Sequence, residues 1–228
     1  MFLKLGKSAY TTGLVGLART RMLARPGPLA AAATAARSVT TGARALDPET
    51  RKMLGEILAA EDAATQKQAN GGAINHYRLE SGGLVNHDIF WGDMDTFGHV
   101  NNVMYLKWFE TARVNYFRAL LGSDADKFMG GVGVGPIIRS VDLAWRYPIT
   151  FPDTISVIHK LLPLTQPDRF ELSGVVVSHK AKKVAARIRE VIVTVDYSNG
   201  GVKAPIPGDV RKILEKQWQL QQQPLETK

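Results

Sequence analysis

Trp91-Gly92-Asp93-Met94-Asp95-Thr96-Phe97-Gly98-His99-Val100-Asn101-Asn102-Val103-Met104-Tyr105 is the stretch on which the reading turns. Two carboxylates, two glycines, a histidine and two amides stand just ahead of a run with helical apolar spacing. A helix start exposes unpaired N–H groups and the positive end of the helix dipole. Asn101 or Asn102 suits the capping position. Such an end can hold a carbonyl oxygen that gains negative charge during acyl transfer, and a nearby carboxylate can attack the carbonyl or activate water. The same residue types also serve as ordinary loop and capping residues.

Outward from this stretch, a long helix is expected from about Asn101 to Leu121, stopped by Gly122. Val103, Leu106, Phe109, Ala112, Tyr116, Ala119 and Leu120 form its expected apolar face, with Phe109 and Tyr116 in the core. Glu110 and Arg113 are three apart and are expected to pair with each other. Upstream, Tyr77 to Trp91 reads as strand, broken at Ser81-Gly82-Gly83. After the glycine-rich stretch 130–135, four strands are expected: Ile137–Tyr147, Thr154–Leu164, Arg169–His179 and Val184–Tyr197. Their short spacing favours consecutive antiparallel pairing. Ser198-Asn199-Gly200-Gly201 is a turn, and Asp209–Leu220 reads as an exposed C-terminal helix. One long helix against about five strands is an α+β arrangement, in which a curved antiparallel sheet could wrap the helix.

The net charge of +8 suggests a nucleic-acid binder until it is located. Residues 1–46 carry seven basic residues and no acid, leaving 22 basic against 21 acidic in the remainder. The domain is nearly neutral, and no nucleic-acid partner is expected. An Arg-rich, Ser/Thr/Ala-rich, acid-free leader has the composition of a mitochondrial transit peptide, so residues 1–46 are expected to direct the chain to the matrix. No run of eighteen apolar residues occurs, so no transmembrane segment is expected. With no cysteine, disulfides and thiolate chemistry are excluded. Asp47-Pro48-Glu49 starts a further helix, with Met53, Leu54, Ile57 and Leu58 at helical spacing, so 47–72 reads as an N-terminal helix and linker.

Asp95-Thr96-Phe97-Gly98-His99-Val100-Asn101-Asn102, with Tyr105 and Glu110-Thr111-Ala112-Arg113, resembles the signature of the 4-hydroxybenzoyl-CoA thioesterase-like family. The resemblance extends over about residues 84–207 by order of elements. It departs at Phe90-Trp91-Gly92, where relatives often carry Arg and then an aromatic. It implies a hotdog fold over 73–207, a curved antiparallel sheet around one long helix, followed by a C-terminal helix and tail at 208–228. It implies hydrolysis of an acyl-CoA to acid and CoA without metal or other cofactor, in a homodimer or homotetramer with sites between subunits. The family's catalytic carboxylate falls on Asp95, and its oxyanion donor, a backbone N–H, falls on Asn102. Asp93 is expected to be structural. His99 is expected either to orient the carbonyl or to bond the backbone. Gly98, Asn101 and Tyr105 complete the expected substrate surroundings, Tyr105 with a structural or interface role as its companion reading. Lys180, Lys182, Lys183 and Arg187 are candidate partners for the CoA phosphates, since a polyanion needs cations at the mouth of its pocket. The four other histidines show no metal-ligand spacing. Two other readings stay open: a non-catalytic subunit of the same fold, and a hydratase that pairs His99 with Asp95.

Overall fold

The computed structural model describes residues 46–68 and 75–225. The expected leader therefore lies outside the described residues, as do the expected linker residues 69–72. The elements run α1 (Pro48–Gln68), β1 (Leu84–Asp88), α2 (Asn102–Leu121), α3 (Ala125–Met129), β2 (Val134–Trp145), β3 (Thr154–Leu161), β4 (Arg169–Ser178), β5 (Lys183–Asp196), β6 (Val202–Lys203) and α4 (Gly208–Gln221).

The sheet is antiparallel throughout, in the order β1-β3-β4-β5-β2, with β6 paired to the end of β5. Consecutive pairing holds for β3, β4 and β5 and fails for β2, which crosses to the far side of β5. The crossing is within reach. Three strand spacings amount to about 14 Å, and the eight residues between β2 and β3 span about 26 Å when extended. The place beside β3 goes to β1, and α2 fills the hollow between the two outer strands. This curled sheet around a long central helix is the hotdog fold expected from the resemblance.

α2 begins where Asn101 Oδ1 accepts the Val103 N–H at 3.0 Å and ends at Gly122, whose φ of 56° suits glycine. Its buried face is Tyr105, Trp108, Phe109, Ala112, Tyr116, Phe117 and Leu121. Phe109 and Tyr116 are in the core as expected, but Val103 and Leu106 are 67% and 45% exposed. The helix is apolar over more than one stripe, so periodicity alone selects the wrong neighbours for its two core aromatics. The Glu110–Arg113 pair does not form either. Arg113 turns inward to Glu190 on β5, and Glu110 stays exposed.

Two apolar clusters lie between α2 and the sheet. One gathers Ile89, Val100, Tyr105, Phe109 and Ile188, the other Tyr116, Phe117, Phe170, Ile192 and Leu214. α4 supplies Val210 and Leu214 to the second, so the C-terminal helix is packed and not exposed. Its alternation of Val210, Leu214, Gln217 and Gln221 hides a buried stripe behind a polar composition. Gln221 belongs to that stripe because its amide bonds Leu161 O and Asn75 Oδ1.

The outer face of the sheet is covered by α1. Asp47 accepts the Thr50 N–H at 2.9 Å and caps it, as the sequence suggests. A lone helix of this length is marginal in water. Leu54 and Leu58 pack on Tyr77, Ile158, Val175 and Val177, each large side chain contributing about 1.5–3 kcal/mol. Among the described residues, no helix is long and apolar enough to cross a membrane.

Candidate active site

Between β1 and α2 the chain makes a short loop pinned at both ends. Ile89 N–H donates to Asp153 O at 2.9 Å and Val100 N–H to Ile149 O at 2.8 Å, while Met94 and Val100 bridge each other. Both pins reach the segment between β2 and β3, 64 and 49 residues downstream, and no local signal in the sequence announces them.

Within the loop the two carboxylates part company. Asp93 Oδ2 accepts the Phe90 N–H at 2.8 Å, and Asp93 O accepts the Asn101 N–H at 2.9 Å. Its carboxylate closes a tight turn, in line with the structural role expected of it. Asp95 Oδ1 accepts the Phe97 N–H at 2.9 Å, its N–H donates to His99 O, and its carbonyl takes the Gly98 N–H. One carboxylate oxygen is thus fixed by the backbone. Oδ2 has no protein partner among the described residues, and the side chain is 20% exposed. An anchored carboxylate with one free oxygen is suited to hold and deprotonate a water.

Gly98 takes φ of 78°, with nothing within 4 Å of a would-be Cβ. Glycine is needed there for conformation and not for space. That turn brings His99 back toward Asp95, with Nδ1 3.9 Å from Oδ1 and 3.3 Å from Val100 O. In the neutral tautomer with its proton on Nδ1, the ring donates to Val100 O and Nε2 is an acceptor. The Phe97 ring stacks on His99 with centroids 6.2 Å apart.

Asn101 is the cap, so Asn102 is the first residue inside the helix, with an N–H that has no acceptor further up the helix. The loop therefore places an anchored carboxylate and a free first-turn amide on one short segment. Tyr105 is buried, 2% exposed. That burial raises its pKa, and its ring lies against Trp108 and Trp145. In this chain it is part of the wall behind the loop and not of the open surface.

The lysines occupy the turn between β4 and β5, at the same end of the sheet as the loop, because Ser178 pairs with Ile155 and Asp88 with Thr154. Lys180, Lys182 and Lys183 are exposed there. Lys180 Nζ lies 3.3 Å from Pro152 O, beside an open depression of about 450 Å³ lined by Ile89, Phe151, Asp153 and His179, among others. Lys183 Nζ sits 4.7 Å over the Tyr147 ring. Arg187 does not join them. It faces outward and pairs with Glu61 of α1.

Sequence reasoning did not single out Phe90, Trp91, Phe97 and Phe151 for this region. They are 61%, 76%, 82% and 43% exposed around the loop, and Trp91 meets Phe151 edge-on at 6.1 Å. Their exposure was the missing signal, since aromatic residues beside a strand end normally read as core.

The thioesterase-like superfamily matches residues 89–214, more than half of the chain. The long-chain acyl-CoA thioesterase FadM of Escherichia coli (strain K12) is 25% identical over 123 residues, which is 54% of this chain and 89% of that protein. The crystal structure of a thioesterase from Thermus thermophilus, complexed with coenzyme A and Zn, aligns with a TM-score of 0.50 at 25% identity, covering 62% of this chain and 95% of that one. A DHNA-CoA thioesterase structure from Staphylococcus aureus aligns with a TM-score of 0.50 over 57% of this chain and 85% of that one, and at 17% identity it speaks for the fold alone. Fold, residues matched and relatives agree, and the chain belongs to the thioesterase-like superfamily of hotdog-fold thioester hydrolases.

Proposed function

We propose that this thioester hydrolase acts on acyl-CoA, releasing a free acid and CoA, with Asp95 as its catalytic carboxylate. The observation that carries the reading is the pairing of a fixed Asp95 oxygen with a free one, on the same short segment as the unpaired first-turn amide of Asn102. Water held on Asp95 Oδ2 attacks the thioester carbonyl, and the proton passes to the carboxylate. The Asn102 N–H, helped by the helix dipole, stabilises the oxyanion. Collapse breaks the C–S bond and the thiolate of CoA takes up the proton. Direct attack by Asp95, through an anhydride that water then opens, uses the same groups. His99 Nε2 orients the substrate. Lys180, Lys182 and Lys183 meet the CoA phosphates, and neither metal nor organic cofactor takes part. The leader, on its composition, directs the chain to the mitochondrial matrix.

We further propose that a second copy completes the site. Among the described residues β2 is bonded on one side only, to β5, and its open edge runs twelve residues with Ile137, Val141 and Trp145 exposed. A long apolar edge calls for a partner. Exposed Val103 and Leu106 on α2 extend the same character toward the loop. Sedimentation at micromolar concentration is expected to show at least a dimer, and a clean monomer would remove the shared site.

An acyl-CoA panel with wild type, Asp95→Asn and Asp93→Asn side by side tests the chemistry. Asp95→Asn is expected to fold and to lose about a hundredfold or more in kcat with little change in KM, the size of losing a positioned base. Asp93→Asn is expected to lose much less. Unimpaired turnover in Asp95→Asn would end the carboxylate assignment. No hydrolysis by wild type would favour the non-catalytic subunit, and hydration of an enoyl-CoA the hydratase.

A further inference from the structure

Midway along α2 the apolar packing is interrupted. Arg113 reaches in from the helix and bonds Glu190 Oε1, with Glu190 1% and Arg113 15% exposed at the side chain. His159 on β3 is fully buried, with Nε2 3.3 Å from Glu190 Oε2 but outside hydrogen-bond geometry. Gly174, opposite His159 across β3 and β4, makes room for that ring. A Cβ at 174 would lie 2.9 Å from the imidazole and 2.8 Å from Ile188 Cγ2. Phe109 and Tyr116 flank the imidazole at 5.8 and 6.3 Å. The three polar groups thus fill the gap between the two apolar clusters under α2.

Stability does not account for this arrangement. Desolvating a buried ion pair costs about as much as the pair returns, and apolar replacements are often neutral or stabilising. Specificity of position does account for it. The aromatic layers on either side can repack, but a guanidinium–carboxylate contact does not survive a slide of one helical turn, about 5.4 Å. Among the described residues, this is the side-chain bond that ties α2 to strands β2–β5; Asn115 makes a separate bond to Gly83, ahead of β1. Asn102 lies eleven residues upstream, about 16 Å along a rigid helix. Its N–H points along the axis, so the axial position and rotation set at Arg113 are transmitted to it. An oxyanion donor works over a few tenths of an ångström, and a misplacement of about 1 Å can cost about a hundredfold.

We propose that Arg113 and Glu190 are positioning residues for thioester hydrolysis, seating α2 on the sheet so that its N-terminal amide meets the carbonyl oxygen. The inference rests on Asn102 as the oxyanion donor.

The test is steady-state kinetics on an acyl-CoA alongside thermal unfolding. Arg113→Met/Glu190→Met removes both charges and orphans neither. It is expected to fold with a melting temperature near that of wild type, and to lose about tenfold to a hundredfold in kcat with KM nearly constant. Glu190→Gln, which keeps an acceptor for Arg113, is expected to retain most of kcat. A folded double variant with wild-type kcat overturns the proposal. Should the double variant fail to fold, Arg113→Lys carries the test: a loss of kcat at constant KM, beside a Glu190→Gln variant that keeps most of its turnover, supports it, and wild-type kcat in Arg113→Lys overturns it. Asn102→Pro separates the two layers, since proline suits the first helical position and removes the N–H. Undiminished turnover there removes the donor and this proposal with it. Loss there beside wild-type turnover in the charge variants overturns the positioning role alone.

Discussion

The sheet holds a helix on each face, by different means. On the inner face, α2 lies in aromatic side chains with one ion pair, Arg113–Glu190, set among them. On the outer face, α1 covers a smaller patch through Leu54 and Leu58 and, among the described residues, adds two ion pairs to the strands, Asp62–Lys160 and Glu61–Arg187. Lys160 Nζ is 2.6 Å from Asp62 Oδ1, donates to Asn75 O at 2.8 Å and stands 4.2 Å over the Tyr77 ring. The inner helix leads back into the candidate active loop, so errors in its seating reach the chemistry. The outer helix packs on Tyr77 and the outer face of the sheet, so errors in its seating are expected to reach stability.

The largest expected effect lies on the outer face. Asp62→Ala leaves Lys160 buried with its charge uncompensated, and a loss of about 3–5 kcal/mol is expected in denaturant unfolding. Turnover per folded molecule is expected to stay at the wild-type level. A loss below about 1 kcal/mol, judged against the same buried-pair cost, would show that α1 is not seated on Lys160, and a fall in kcat of the folded protein would break the division between the faces.

A smaller effect is expected where the inner helix begins. Asn101→Ala removes the acceptor of the Val103 N–H and is expected to cost about 1 kcal/mol of stability. Here turnover is expected to fall with stability, because the first turn that frays carries the Asn102 amide. If stability falls and kcat does not, the inner face has no closer link to catalysis than the outer one.

The smallest effect concerns pH. His179 Nε2 lies 2.9 Å from Ser156 Oγ, near the start of α1. Burial pushes the imidazole below its usual 6.5, while Asp153 and then Asp47 oppose the shift. The unfolded chain therefore takes up a proton at a higher pH than the folded one. The contribution is complete above about pH 6.5 and is lost as pH falls toward the lower folded value. His179→Asn is expected to reduce the loss of stability between about pH 7.5 and 5.5, read as the shift of the urea midpoint. An identical shift in the variant would remove His179 from the account.

The candidate active loop and the elements around it were legible because they are local. Asp95, Gly98, Asn101 and Asn102 lie within eight residues, and a cap, a positive-φ glycine and a helix start declare themselves over that span. The starts of α1 and α2 and the extents of β3, β4 and β5 followed from the same short-range physics of caps, breakers and alternation. What joins distant segments was not legible. Nothing near Arg113 says that its partner is Glu190, 77 residues away, when Glu110 stands one turn before it. Nothing near β2 says that it pairs with β5 and skips β3, and nothing in α4 says that its glutamines are buried. Local chemistry is set by the backbone within a few residues, whereas ion-pair partners, strand order and helix burial are settled by which surfaces meet when the sheet curls around α2, and that is a property of the assembled chain.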